Sequence, residues 1–215
     1  MTAEKAAQRT GFASKAELVL RNALEAFCRE RWPVARVVHE IVMGEGRVRA
    51  DVAAIDTAHI AAFEVKGEYD NTTRLLHQVG MYQLCVPEVW MVVATGHAED
   101  AHLIRHLMPS VGLLVGTGQS MRHSYEFDGK NFGLTVEAEA VPRQPVPKLM
   151  LEMCWADELV GICDRTMTSR GKKPTRPTMI KALLDLPFAQ LQAEVCTALR
   201  GRDALWRADS PIGAQ

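Results

Sequence analysis

Two neighbouring stretches constrain this chain most: Val48-Arg-Ala-Asp-Val-Ala-Ala-Ile55 and Ile60-Ala-Ala-Phe-Glu-Val-Lys66. Both are runs of small, β-branched and aromatic residues that read as strands, and both carry charge in otherwise apolar surroundings. A charged side chain on a buried strand is costly unless it is paired or holds a metal ion. The fold must therefore bring Asp51, Glu64 and Lys66 to partners. The two-residue period of a strand puts Glu64 and Lys66 on one face, and Asp51 on the neighbouring strand converges with them if the register allows. Two carboxylates suit a hard divalent cation, Mg²⁺ or Mn²⁺, and a nearby lysine can orient water or neutralise charge on a phosphate. The competing reading is an edge-strand ion pair between Lys66 and Asp51 or Glu64.

The flanking patterns predict alternating α and β elements. Ala16, Leu20, Ala23, Leu24 and Phe27 form a helical stripe over about 14–31, closed by Pro33. Runs at Val34–Val42 and Val48–Ile55 surround Gly44-Glu45-Gly46 as a hairpin, and the third strand follows a polar turn at Asp56-Thr57. Asp70 or Asn71 is expected to cap a helix reaching Cys85, with Leu75, Leu76, Val79 and Tyr82 on its apolar face. The continuously apolar Val89–Ala94 reads as a central strand covered on both faces. A helix at Ala98–Leu107, a strand at Val111–Val115 and a weaker β-rich stretch from Tyr125 to Val136 complete an α-β-β-β-α-β-α-β order. His102 and His106 share a helix face, but no His-Glu-x-x-His frame accompanies them, and a solvated face is expected.

Pro142, Pro145 and Pro147 crowd a short segment that cannot lie inside a helix or a central strand. They divide an α/β domain over about 10–141 from a helical C-terminal domain over 148–215, through a connector at 142–147. Helices are expected at Leu149–Cys163, Thr178–Leu184 and Phe188–Leu199. Between the first two, Arg165, Arg170, Lys172, Lys173, Arg176 and Lys181 occur without an acid. Arg170, Lys172, Lys173 and Arg176 are candidates for gripping a nucleic-acid backbone, the alternative being a solvated loop. Trp155 and Trp206 read as core anchors.

Composition narrows the rest. A formal net charge of −1 gives no global pull toward nucleic acid, so any such affinity must be local. The 5 cysteines form no Cys-x-x-Cys pair and are expected to be reduced. No apolar run approaches the ~20 residues of a membrane helix, and no apolar signal region follows the N-terminus, so a cytoplasmic protein is expected.

The spacing of Asp51 and Glu64-Val-Lys66 within this element order resembles the PD-(D/E)XK nucleases, the restriction-endonuclease-like superfamily. Gln78-Val-Gly-Met-Tyr82 on the next helix resembles the Gln-x-x-x-Tyr motif of its RecB-like branch. The run from Glu64 to Tyr82, with Leu-Glu-Met-Cys-Trp155-Ala-Asp157-Glu158-Leu downstream, is similar to a bacterial and phage family within that superfamily. Ala50 stands where the superfamily's name has proline, as in many members.

The resemblance implies a restriction-endonuclease-like α/β fold, a central mixed sheet flanked by helices, and Mg²⁺- or Mn²⁺-dependent hydrolysis of DNA phosphodiesters. Asp51 and Glu64 would ligate the metal, with the Val65 carbonyl as a third oxygen. Lys66 would position water or stabilise charge, and Gln78 and Tyr82 would orient Lys66 or the substrate strand. Such nucleases carry a further acid on the first helix. Glu17, roughly 80° from the centre of its apolar stripe, is the choice over Glu25 and Glu30. It also completes a capping box with Ser14. Glu40 ranks lower, because the simplest hairpin register turns it away from Asp51. Arg74 reads as a surface partner of Asp70. The alternative function is a non-cleaving DNA-binding or adaptor protein that keeps the fold. The oligomeric state is open, a homodimer included.

Overall fold

Helix α1 (Lys15–Arg31) buries Leu20, Leu24 and Cys28 along one stripe, as its periodicity requires. In the computed structural model, which describes residues 15–117, 133–169 and 174–202, it is followed by a hairpin of β1 (Arg36–Met43) and β2 (Val48–Ile55). The hairpin turns through Gly44, Glu45 and Gly46, all left-handed, with φ of 58°, 59° and 86°. Glycine adopts this backbone without the clash a Cβ brings.

β3 (Ile60–Lys66) pairs antiparallel with β2. Helix α2 (Leu75–Cys85) crosses over to β4 (Glu88–Val93), and α3 (Ala98–Leu107) crosses over to β5 (Gly112–Thr117). Both crossovers join parallel strands, and β6 (Gly133–Ala138) closes the far edge antiparallel to β5. The product is a six-stranded mixed sheet in the order β1-β2-β3-β4-β5-β6, flanked by helices. Every residue of β4 is buried, which accounts for its unbroken apolar run.

One sheet face packs on α1 through Val52, Phe63, Val65, Trp90, Val92 and Leu114. The other packs on α2, α3 and the C-terminal helices α4 (Pro147–Leu151), α5 (Ala156–Arg165), α6 (Arg176–Leu183) and α7 (Phe188–Arg200). Buried residues of these C-terminal helices, which fall within the helical segment expected over 148–215, belong to the same core cluster as that sheet face. The proline-rich connector is pinned along its length: the N–H groups of Val141, Arg143 and Val146 donate to the carbonyls of Ser110, Pro87 and Leu84 at 2.9, 2.8 and 2.9 Å. Arg36, fully buried on β1, ties the tail down further by donating to the carbonyls of Arg200 and Arg202 at 2.7 and 2.5 Å. These lie at and just beyond the end of α7, where helix carbonyls lack partners of their own.

Three boundaries differ from expectation. Helix α2 starts at Leu75, because Asp70 accepts the Gly67 N–H and Asn71 the Thr73 N–H, each at 2.6 Å, which folds the intervening residues into turns. The helix expected over Leu149–Cys163 is two, because Trp155 is extended (φ −75°, ψ 167°) and its N–H donates to Glu158 in a new helix start. Of the β-rich stretch from Tyr125, residues up to 132 lie outside the described part, and the strand that is described runs Gly133–Ala138. All 5 cysteines are buried and free, as expected. No helix among the described residues is long and apolar enough to cross a membrane.

Candidate active site

β2 and β3 part beyond the Val52–Phe63 pair, while β3 runs on to Lys66. Extending the antiparallel register by one residue sets Asp51 opposite Glu64. At the parting, the Asp51 side chain replaces the missing ladder: its Oδ2 accepts the Val65 N–H at 2.8 Å. In an antiparallel strand the N–H and C=O of one residue face the same neighbour, so the Val65 carbonyl turns toward Asp51 as well.

Glu64 is almost fully buried and held by the next helix. Its Oε1 accepts Lys66 Nζ at 2.6 Å and Gln78 Nε2 at 2.5 Å, and its Oε2 contacts the Tyr82 hydroxyl. The i, i+4 spacing on α2 puts Gln78 and Tyr82 one above the other, which lets both reach one carboxylate. The Tyr82 oxygen also lies 2.8 Å from the Arg49 carbonyl. Burial, then the nearby Asp51 charge, pushes the Glu64 carboxyl up to about 7 against the pull of Lys66 and Tyr82. Burial also raises Asp51, with Arg21, the Val65 N–H and Lys66 opposing it. Burial and the Glu64 charge raise Tyr82, which keeps its hydroxyl protonated.

Glu17 comes to the same place from the first turn of α1. Its Oε1 accepts Arg21 Nε at 2.9 Å, and burial raises its carboxyl despite that partner. The other half of its expected capping box, Ser14, lies outside the described residues. Glu40 corrects the simplest hairpin reading. The observed pairs His39–Val52 and Ile41–Ala50 bracket Glu40 and Asp51 as cross-strand neighbours. Glu40 has a left-handed φ of 60°, and both strands break alternation here: Val38 and Ile41, and Ala50 and Ala53, point into the same core although three apart. This irregularity turns Glu40 toward Arg21, whose Nη2 it meets at 3.2 Å.

Arg21 is a residue the sequence reading passed over. Its legible signal is Glu17-x-x-x-Arg21, an i, i+4 pair flanking the buried stripe. His97 is another: its Nε2 lies 3.0 Å from the Gly67 carbonyl, anchoring the chain just after Lys66. Arg176 does not join the group around Asp51. It starts α6 and donates to the Glu152 and Cys154 carbonyls. Arg170, Lys172 and Lys173 lie outside the described residues. Glu25 pairs with Arg29 and His39, and Arg74 is exposed at the start of α2.

Among the described residues no three His, Cys, Asp or Glu side chains are disposed to hold a metal ion, since cations of the chain itself stand between the acids. The donor chemistry nonetheless fits one hard divalent ion. Asp51, part-buried, and Glu64, buried, are opposed carboxylates, and desolvation raises both, with the Asp51 charge adding to the rise at Glu64. Beside them Gln78 Oε1 is buried with no hydrogen-bond donor among the described residues. An orphaned acceptor at this depth calls for a water or a cation's hydration shell.

Residues 13–205 match the model of a family described as Bacteriophage P4 protein cII. Neither a curated protein nor a solved structure matches the chain.

Proposed function

The chain belongs to the bacteriophage P4 protein cII family, and we propose that it is a metal-dependent nuclease of the PD-(D/E)XK type that hydrolyses DNA phosphodiester bonds. One observation carries this reading: Asp51 and Glu64 meet at the parting of β2 and β3 with Lys66 Nζ 2.6 Å from Glu64. Two opposed carboxylates, one of them buried and paired with an ammonium group, are expensive as structure and useful as a phosphoryl-transfer site.

A bound Mg²⁺ supplies Lewis-acid polarisation of the scissile phosphate and a water of lowered pKa. Asp51, Glu64 and the Val65 carbonyl would hold it. Lys66, beside Glu64, would present its ammonium group to water and to the charge that develops on phosphate oxygens. Gln78 and Tyr82 keep the Glu64 side chain from swinging away, and Gln78 Oε1 accepts a hydrogen from water.

A second reading has its own support. Each oxygen of Asp51 and Glu64 already has a donor from the chain, so the group is satisfied without a metal ion. An adaptor that binds DNA without cutting it could keep such an arrangement.

The deciding experiment incubates purified protein with Mn²⁺ and a panel of single-stranded, nicked, branched and duplex DNAs, with an RNA lane, beside Asp51→Ala. Metal-dependent products absent from the Asp51→Ala lane support the nuclease. Absence of cleavage together with no calorimetric uptake of millimolar Mn²⁺ leaves the adaptor.

A further inference from the structure

Arg21 Nη2 lies 2.8 Å from Glu17 Oε1, 3.0 Å from Asp51 Oδ1 and 3.2 Å from Glu40 Oε1. Its Nη1 donates to the Asp51 carbonyl at 2.9 Å. Three carboxylates from three elements, α1, β1 and β2, therefore converge on one nitrogen of one side chain. That side chain is only 12% exposed, and its charge is permanent. An isolated surface ion pair needs no such arrangement, and the left-handed backbone of Glu40 shows that the chain accepts strain to complete it.

We propose that Arg21 is the second cation of this site: its guanidinium occupies the position between Glu17, Glu40 and Asp51 that a second divalent ion would otherwise take, so the protein binds one metal ion, not two. The proposal rests on the nuclease reading for its catalytic meaning, but the metal count tests it separately.

Charge balance supports it. Glu17, Glu40, Asp51 and Glu64 are four acids, and Arg21 and Lys66 are the two part-buried cations among them. One divalent ion makes up the difference. Arg49 also reaches Glu40, but its side chain is 55% exposed and solvent screens it. Two metal ions beside Arg21 and Lys66 would leave an excess of positive charge at this part-buried site. Removing Arg21 instead leaves three acids without their shared partner, a set of hard oxygen donors that a divalent ion fills. Arg21 is thus a positioning residue: it fixes Asp51 from one side while the Val65 N–H fixes it from the other.

The test counts Mn²⁺ per chain by calorimetry and by electron paramagnetic resonance, where a coupled pair of ions is distinguishable from an isolated one. Wild type should take up one isolated Mn²⁺, Arg21→Met two coupled ions, and Arg21→Lys one. Two ions in wild type, or a single ion in both wild type and Arg21→Met, overturn the proposal and leave the nuclease reading standing. No ion in wild type but one in Arg21→Met overturns the proposal and removes the nuclease reading as well. No ion in either removes both. Arg21→Gln, which keeps hydrogen bonds to the acids without charge, is the second variant. If Arg21→Met melts early without metal and recovers with Mn²⁺, that is the expected behaviour. If both uncharged variants stay unfolded in Mn²⁺, the site requires the guanidinium's geometry rather than a cation, and the proposal fails.

Discussion

The Val65 backbone N–H donates to Asp51 Oδ2 at 2.8 Å, so a side chain does the work of a ladder bond at the place where two strands separate. Structure and chemistry at Asp51 can therefore be pulled apart. Asp51→Asn keeps an acceptor for Val65 and loses the charge, whereas Asp51→Ala loses both. Both variants should reduce Mn²⁺ uptake and bring cleavage to background. Only Asp51→Ala should in addition leave a buried N–H unpaired, at a cost of about 1–3 kcal/mol in denaturant unfolding. Equal stability of the two variants would show that the Val65 contact contributes nothing.

Glu64 gives the site a pH dependence of unusual sign for an acid. Its carboxyl is raised from 4.5 to about 7 by burial and by Asp51, so across that interval the folded chain holds a proton that the unfolded chain has released. Stability from this group is full below about 4.5 and lost as pH rises through about 7. Metal-free protein should unfold at lower urea concentration at pH 8 than at pH 5.5, by a few kcal/mol at most, given about 1.4 kcal/mol per pKa unit. Glu64→Gln should flatten that slope. Mn²⁺ competes with the same proton, so its affinity for wild type should climb toward pH 7 and level off. A slope unchanged in Glu64→Gln would place the titration elsewhere.

Much of this was readable from residue types, and the misses have definite causes. Asp51, Glu64 and Lys66 stand out because charge inside apolar strands demands partners, and Gln78 and Tyr82 through the resemblance to a Gln-x-x-x-Tyr motif whose i, i+4 spacing sets both on one edge of α2. The simplest hairpin register turns Glu40 away from Asp51, but one left-handed residue on β1 breaks the two-residue period and sends the side chain to the acids. Arg21 was passed over because an i, i+4 pair with Glu17 looks the same whether it lies on a surface or faces two more carboxylates from other strands. Arg36 escaped for a related reason. Its partners are carbonyls at the end of α7, more than 160 residues away, and no local pattern announces them.

Lys66 is separable from metal binding. Its Nζ touches Glu64 Oε1, and a carboxylate that loses this partner still has Gln78 and Tyr82. Lys66→Ala should keep the Mn²⁺ stoichiometry of wild type while single-turnover cleavage falls by roughly 10²–10⁴, the range for removing a proton-handling group. Wild-type cleavage rates in this variant would remove Lys66 from the chemistry.

A fold-level check lies away from the site. Gly112 on β5 pairs with Trp90 on β4, and a Cβ at Gly112 would fall 2.2 Å from the indole. Trp90 has no room to retreat, since it packs on Phe63 and Phe27 with ring centroids 6.4 and 5.7 Å away. Gly112→Ala should cost roughly 1–3 kcal/mol through overpacking and should leave Mn²⁺ stoichiometry unchanged in the folded fraction. A neutral effect on thermal unfolding would mean that β4 and β5 shift freely.

The basic run after α5 divides by what its members already hold. Arg165 donates to Glu194 at 2.7 Å, and Arg176 is spent on the carbonyls of Glu152 and Cys154. Under the proposed function, Arg170, Lys172 and Lys173, which lie outside the described residues, and Lys181 are left as candidates for contact with a phosphate backbone. Each phosphate they neutralise should contribute about 0.9 to the slope of log affinity against log salt on duplex DNA. Lys172→Ala with Lys173→Ala should therefore weaken binding most at low salt, lower the slope by up to about two such units, and leave Mn²⁺ uptake untouched. A loss of equal size at every salt concentration would mean that these lysines support the fold of the tail instead of meeting DNA.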